Sequence, residues 1–201
     1  TAKGLWSMRA DGQDLQGPWL IPSPLLDSEV VALALDAGER LVVATARGAS
    51  SLAPHGQAEV LLEEPILSAT TSPQGEVWLG AASGLYRLDA ARGPQREADE
   101  VAIALAFDAA GRLWLCDAEG ALRLLGQEAL LNVREQVGEL PRNMAFDGQG
   151  VLWLSLSQGV GRVTPEGEWS LINGEEALLS PDVRRVAVGA DDVLWAATAR
   201  G

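Results

Sequence analysis

Cysteine, histidine and lysine each occur once in this 201-residue chain, as Cys116, His55 and Lys3. One cysteine excludes an intrachain disulfide and a cysteine-based zinc site, and is compatible with cytoplasm or periplasm. The lone lysine reads as a compositional bias of the source genome. No apolar run approaches the roughly 20 residues a bilayer-spanning helix needs. Basic residues are few: 15 Lys and Arg against 28 Asp and Glu give a net charge of −13. That balance argues against a nucleic-acid partner, which needs clustered cations, and against docking on anionic lipid. No P-loop, GxSxG, HExxH, CxxC or dinucleotide fingerprint is present. What the chain does have is 47% apolar and 21% charged residues, ordinary for a folded protein. Its length suits one domain or at most two small ones. It starts at Thr1 rather than Met, which points to a segment removed ahead of it.

An internal repeat organises the rest. Five segments align without gaps: Leu41–Thr45, Val77–Ala81, Leu113–Asp117, Leu152–Leu156 and Leu194–Thr198, with first residues 36, 36, 39 and 42 positions apart. Five positions before each stands a turn residue: Asp36, Ser72, Asp108, Asp147 or Gly189. Seven positions after each first residue stands Gly48, Gly84, Gly120, Gly159 or Gly201. Gly75, Gly111 and Gly150 open three of the strands, and Gly38 lies one place early in the first. Asp followed closely by Gly between apolar runs marks a hairpin. Upstream of each turn a second strand alternates with period two, ending at Leu35, Thr71, Phe107, Phe146 and Val188. A third strand follows each later glycine, as at 84–88 and 160–163, and a fourth is placed at 59–63 and 168–172.

Four short antiparallel strands per unit of about 40 residues is the signature of a β-propeller blade. The sequence therefore predicts an all-β fold, residues 1–201 forming a single β-propeller domain of five four-stranded blades. Thr1-Ala2-Lys3-Gly4 matches Thr198-Ala199-Arg200-Gly201 at the same point of the repeat. On this reading the last blade is shared between the N- and C-termini, which would remove two exposed sheet edges. The duplicated turn leaves four residues too many at the seam. The alternative is a fragment of a six- to eight-bladed propeller.

The stretch Leu140-Pro141-Arg142-Asn143-Met144-Ala145-Phe146-Asp147-Gly148-Gln149-Gly150-Val151-Leu152-Trp153-Leu154, followed by Gly159, resembles the two-component-regulator propeller repeat. Segments around Trp78, Trp114 and Trp195 look like weaker copies. The resemblance implies a bacterial sensor propeller, periplasmic ahead of a histidine kinase or standing alone, and so the remainder of a larger sensor as a partner. A more distant likeness is to streptogramin-lyase-like and gluconolactonase-like propellers. The motif speaks for fold, because its fixed residues are turn and packing residues.

Trp78, Trp114, Trp153 and Trp195 share one slot of one strand, which predicts wedge packing between blades, with sugar stacking as the functional alternative. Trp6, Trp19 and Trp169 lie off this register. Cys116 falls in a column of small residues and reads as core filler. His55 sits in a Pro-His-Gly turn between outer strands, away from where a general base would work. Asp27, Glu29, Asp99, Glu100, Asn143 and Asp182 could offer oxygens to calcium. They do not reproduce the spacing of gluconolactonase-type metal sites, so no cofactor is expected. The inner strand carries Asn143 and Arg185 where other blades have Ala32, Ser68 and Ala104. With Arg47, Asp117 and Gln158 from the loops after the Trp strands, these are the candidate ligand-binding residues. The reading is a non-catalytic recognition or sensory module that binds a protein segment or a small polar ligand. The alternative is a metal-dependent lyase or lactonase-type hydrolase.

Overall fold

The computed structural model describes residues 5–7, 16–19, 26–53, 58–89, 91–174 and 178–200, the first two segments as backbone only. The chain divides into two compact units, residues 1–101 and 102–201. In the first, β1 (Leu5–Ser7) and β2 (Gln16–Trp19) form a two-stranded sheet. Two four-stranded antiparallel blades follow. One is β3 (Val30–Leu35), β4 (Leu41–Thr45), β5 (Gly48–Leu52) and β6 (Ala58–Leu62). The other is β7 (Ile66–Thr71), β8 (Val77–Ala81), β9 (Gly84–Asp89) and β10 (Gly93–Ala98).

The second unit repeats the plan. Its blades are β11 (Ala102–Phe107), β12 (Leu113–Asp117), β13 (Ala121–Leu124), β14 (Ala129–Asn132), and β15 (Asn143–Phe146), β16 (Leu152–Leu156), β17 (Gly159–Val163), β18 (Trp169–Ile172). A two-stranded sheet, β19 (Val183–Val188) with β20 (Leu194–Thr198), ends it. The all-β expectation and the four-strand blade are thus observed. The described strands make four complete blades and two two-stranded sheets, so a fifth four-stranded blade is not seen. Between β14 and β15 lies a short helix the repeat did not announce, α1 (Val133–Val137). Asn132 Oδ1 caps it by accepting from Glu135 N–H, and Gly138 closes it at φ 77°.

The turn between the first two strands explains the recurring Asp. Asp108 Oδ1 accepts the N–H groups of Ala110 and Arg112 at 3.0 and 2.9 Å, and Oδ2 takes the Arg112 Nε and the Trp114 indole N–H. Asp147 does the same for Gln149, Val151 and Trp153, and Asp36 for Gly38, Arg40 and the Arg40 guanidinium. Ser72 Oγ accepts the equivalent N–H groups of Gln74 and Glu76. Each carboxylate replaces several water hydrogen bonds at once, which makes the hairpin self-capping. The glycine three residues on supplies a left-handed backbone, with φ 81° at Gly75, 74° at Gly111 and 80° at Gly150. Because Gly38 lies one place early, Glu39 takes that position at φ 59°, and Asp192 does so in the last turn at φ 59°.

The repeat glycine at the head of the third strand has a different cause. A Cβ on Gly84 or Gly159 would lie 2.3 Å from the carbonyl oxygen of Ala98 or Ile172 on the outer strand. That close approach admits no side chain.

Within each unit the first strands of successive blades are neighbours: β3 with β7, β11 with β15, β15 with β19. The apolar faces between them form the core. Ala32, Val42, Ala44, Ile66, Val77 and Leu79 pack in the first unit. Ala104, Cys116, Leu122, Met144, Leu154 and Leu156 pack in the second. Two of the recurring tryptophans act as inter-blade wedges there: Trp114 meets Phe146 of the next blade at a ring separation of 5.8 Å and 55°. Trp153 packs against Val160, Val183 and Val186. Trp195, in the two-stranded sheet, is 65% exposed.

Two outcomes follow. Glu39→Gly relieves a left-handed strain of about 1 kcal/mol, part of it offset by a looser unfolded chain. A rise in the urea midpoint is expected for Glu39→Gly and none for Asp192→Gly, which also loses the 2.7 Å bond from Gly148 N–H to Asp192 Oδ1. The second outcome concerns acid. Burial alone would raise the Asp108 pKa, but the Arg112 backbone N–H, the Trp114 indole and the Arg112 guanidinium outweigh it and hold the carboxyl below its usual value. Asp36 is lowered in the same way, Arg40 supplying the backbone and side-chain bonds. A carboxylate depressed on folding stabilises the fold above its unfolded pKa, and the gain is lost as pH falls towards the folded pKa. Urea midpoints should therefore drop as pH falls below about 4. Asp108→Asn should lose about 2 kcal/mol at neutral pH and show a shallower drop.

Candidate functional site

The column that held the sequence's one asymmetry is in register. Ala32 pairs with Ala44, Ser68 with Gly80, Ala104 with Cys116, Asn143 with Ser155 and Arg185 with Ala197. Four of the five first-strand positions carry side chains no larger than asparagine, and in the last sheet a full-length guanidinium occupies the slot.

Asn143 spans two blades. Its Oδ1 accepts the Val186 N–H at 2.9 Å and its Nδ2 donates to the Val186 carbonyl at 2.8 Å. The side-chain amide thus pairs with both backbone groups of one residue on β19. Ser155 Oγ donates to the same Oδ1 at 2.8 Å and accepts the Asn143 N–H at 3.0 Å. Arg142, one residue earlier, reaches the same strand: Nη1 donates to the Val183 carbonyl at 3.0 Å and pairs with Asp182. Asp182 also meets Arg184 at 2.8 Å, and the Arg142 guanidinium holds its carboxyl below the usual range. The Pro-Arg-Asn segment that carried the resemblance is therefore a polar strap from β15 to β19.

The loop residues have their own partners. Asp117, at the end of β12, accepts Glu119 and Ala121 N–H through Oδ1 and pairs with Arg123 through Oδ2. Gln158 donates its side-chain amide to the Val137 carbonyl at 2.9 Å, and its N–H goes to Glu139 Oε1 at 3.1 Å. Arg47 is exposed in the β4–β5 turn, its N–H directed to Thr45 Oγ1. Glu139, which ties α1's far end to the Ser157–Gln158 turn, had no signal in the repeat.

Arg185 is solvent-exposed on β19, yet desolvation by the surrounding protein lowers its guanidinium pKa from the ordinary value. An accessible cation in a partly dehydrated setting attracts anions more strongly than one on an open surface.

Other sequence candidates fall elsewhere. Cys116 is fully buried, and burial with the neighbouring Asp117 charge pushes its thiol up to about 12, so it stays protonated as core filler. His55 and the side chains of Trp6 and Trp19 lie outside the described residues. Of the loop carboxylates, Asp27 accepts the Glu29 N–H at 3.0 Å and Asp99 pairs with Arg96 at 2.9 Å. Among the described residues, no three His, Cys, Asp or Glu side chains gather in a metal-binding arrangement.

The strap sets an expected outcome. Asn143→Ala leaves Val186 N–H and C=O and the Ser155 hydroxyl without their amide partner, at a cost of about 2 kcal/mol. Asn143→Asp keeps the acceptor but faces the Val186 carbonyl with a carboxylate oxygen, and should be as damaging. Chemical denaturation of both variants checks this, and a wild-type midpoint in either would refute the strap.

No family model matches the sequence, and no curated protein sequence does. Solved structures do resemble it. The extracellular domain of a hybrid two component system from B. thetaiotaomicron is similar over 86% of this chain at 15% identity, with a TM-score of 0.68. This chain spans only 26% of that one. Virginiamycin B lyase from Staphylococcus aureus, a catalytically inactive histidine-to-alanine variant with quinupristin, is similar over 97% of this chain and 70% of its own at 15% identity, TM-score 0.70. A gluconolactonase from Xanthomonas campestris is similar over 98% and 76% at 20% identity, TM-score 0.71. These are the groups that the repeat resembles, and at such identities the likeness is one of fold: the blades of this chain are those of a β-propeller.

Proposed function

We propose that the chain is a non-catalytic recognition or sensory module, in which one face of the propeller binds a protein segment or a small polar ligand. Arg185 carries this reading. It stands in a column where three blades carry Ala or Ser, it is accessible, and its surroundings dehydrate it. Such a group selects a ligand with a carboxylate or similar anionic end, in a chain whose net charge of −13 repels anions elsewhere. The strap formed by Arg142 and Asn143 would serve it indirectly, by fixing β19. In the second unit Asp117, at the end of β12, and Gln158, in the turn after β16, are proposed as rim residues of that face; Arg47 holds the equivalent turn in the first unit.

In this reading the two-stranded sheets at either end of the chain are parts of blades completed elsewhere. A fifth blade shared between the termini is one form of that completion, and a larger propeller is the other. The likeness to extracellular domains of sensor systems supports an extracytoplasmic setting, as part of a larger protein. No helix among the described residues is long and apolar enough to cross a membrane. The reading calls for no cofactor. Calcium belongs to the alternative, a lyase or lactonase-type hydrolase, which the fold likeness to such enzymes keeps in play.

The test is a thermal-shift screen of small mono- and dicarboxylates and acidic peptides against wild type and Arg185→Ala. A saturating ligand should raise the wild-type midpoint by about 5 °C and leave the variant unmoved. An equal shift in the variant would remove Arg185 from the site. Native mass spectra with and without a chelator accompany the screen: a chelator-sensitive bound metal, with lactone hydrolysis, would replace the recognition reading by the hydrolase.

A further inference from the structure

A groove recurs where the first hairpin turn of one blade meets the turn and third strand of the next. In the first unit it encloses about 370 Å³ and is ionic, lined by Asp36, Arg40, Glu76, Arg87 and Asp89. At the same place in the second unit the cavity encloses about 330 Å³, and its wall is aromatic and aliphatic: Trp114, Leu130, Phe146, Leu152 and Val163. The substitution begins in the repeat itself. Val42 stands in the first blade where Trp114 stands in the third, and Thr71 stands where Phe146 does.

The Trp114 indole is held in place rather than merely packed. Its N–H donates to Asp108 Oδ2 at 3.0 Å, while Phe146 meets it at 5.8 Å between ring centres. Donation to a carboxylate enriches the ring's electron density, which strengthens its face as a partner for a cation.

The next blade shows a cation meeting such a face. Opposite Trp78 on the third strand stands Arg87, and opposite Trp153 stands Arg162, whose guanidinium carbon lies 5.9 Å from the indole centre. Opposite Trp114 stands Leu124. The blade that opens the aromatic cavity therefore has no arginine paired with its tryptophan, the Arg123 of its third strand being paired with Leu115 and engaged with Asp117. Arg112 is the one cation in the lining, and it is committed to Asp108 at 2.7 Å. Two carboxylates stand at the cavity: Asp108 in its lining, and Asp192, whose Oδ1 accepts the N–H of the lining Gly148.

We propose that this cavity binds a small organic amine, an ammonium carrying an apolar body about the size of a phenyl ring. The cation lies against Trp114, as the Arg162 guanidinium lies against Trp153 in the next blade. The apolar body lies against Phe146 and Leu130. The site is separate from the Arg185 face and does not rest on it.

Isothermal titration of the whole chain with phenethylamine, phenethyl alcohol and 3-phenylpropionate tests the proposal, since the three share a ring and differ in charge. The amine should bind about tenfold tighter than the alcohol, and the carboxylate should not bind. Leu130 is 46% exposed, so Leu130→Arg should fold normally by circular dichroism. It places both bulk and positive charge in the opening and should weaken the amine at least tenfold. Trp114→Phe, which keeps a ring but loses the tether to Asp108, should weaken it several-fold. Equal binding of the three compounds, absence of amine binding, or amine binding unmoved by Leu130→Arg would each overturn the proposal. So would loss of amine binding in Arg185→Ala with Leu130→Arg unaffected.

Discussion

In the third and fourth blades the turn carboxylate is the constraint from which the rest of the sheet takes its shape. At Asp108 and Asp147 one side chain closes a hairpin, satisfies two backbone N–H groups and orients the indole near the start of the strand that leaves the turn. Orientation matters because a tryptophan fills the wedge between twisted sheets only in one pose. Fix the turn and the wedge follows. With the wedge filled, the next blade's first strand has an apolar surface to lie on, as Phe146 does on Trp114. A hydrogen bond at the rim of the sheet thus determines packing in its middle.

Most of this was legible in the chain. Turn, strand and wedge recur at fixed offsets, and each offset corresponds to a bond or a close contact in the structure. The glycine opening the third strand is one example, since the outer strand's carbonyl occupies the space a Cβ would need. The misplaced Gly38 was visible too, and its consequence, a strained Glu39, follows directly. Helix α1 was not legible, because five residues capped by Asn132 and Gly138 leave no periodicity to detect. Asn143 stood out as an exception to its column. The sequence could not say that its amide faces a neighbouring strand's backbone, because that partner lies 43 residues away and offers no side chain to covary with the pattern. Asp117 and Gln158 were legible as loop residues, whereas their partners Arg123, Val137 and Glu139 depend on local geometry.

The two units also show how a repeat diversifies. Equivalent grooves are walled by ion pairs in one and by aromatic rings in the other, with the same turn and the same strand order beneath. Wall chemistry can change because the backbone bonds that hold the blade are supplied by the turn. Fold and recognition are therefore encoded at different positions, which is why a repeat so specific for architecture carries so little about ligands.

The strap from β15 to β19 has a kinetic consequence. Inside a blade every strand is bonded to its sequence neighbour, so pairing is local and fast to re-form after a fluctuation. The β19–β20 pair has one ladder of its own and is held to the rest of its unit by Arg142, Asn143 and a small apolar cluster around Val183 and Val186. Among the described strands of that unit it is the only sheet of two strands, and its amides should be the first of the strand amides there to exchange with solvent. The residue proposed to meet a ligand sits on it, so occupancy at Arg185 would be recorded as slower exchange along β19 before it altered anything else in the molecule.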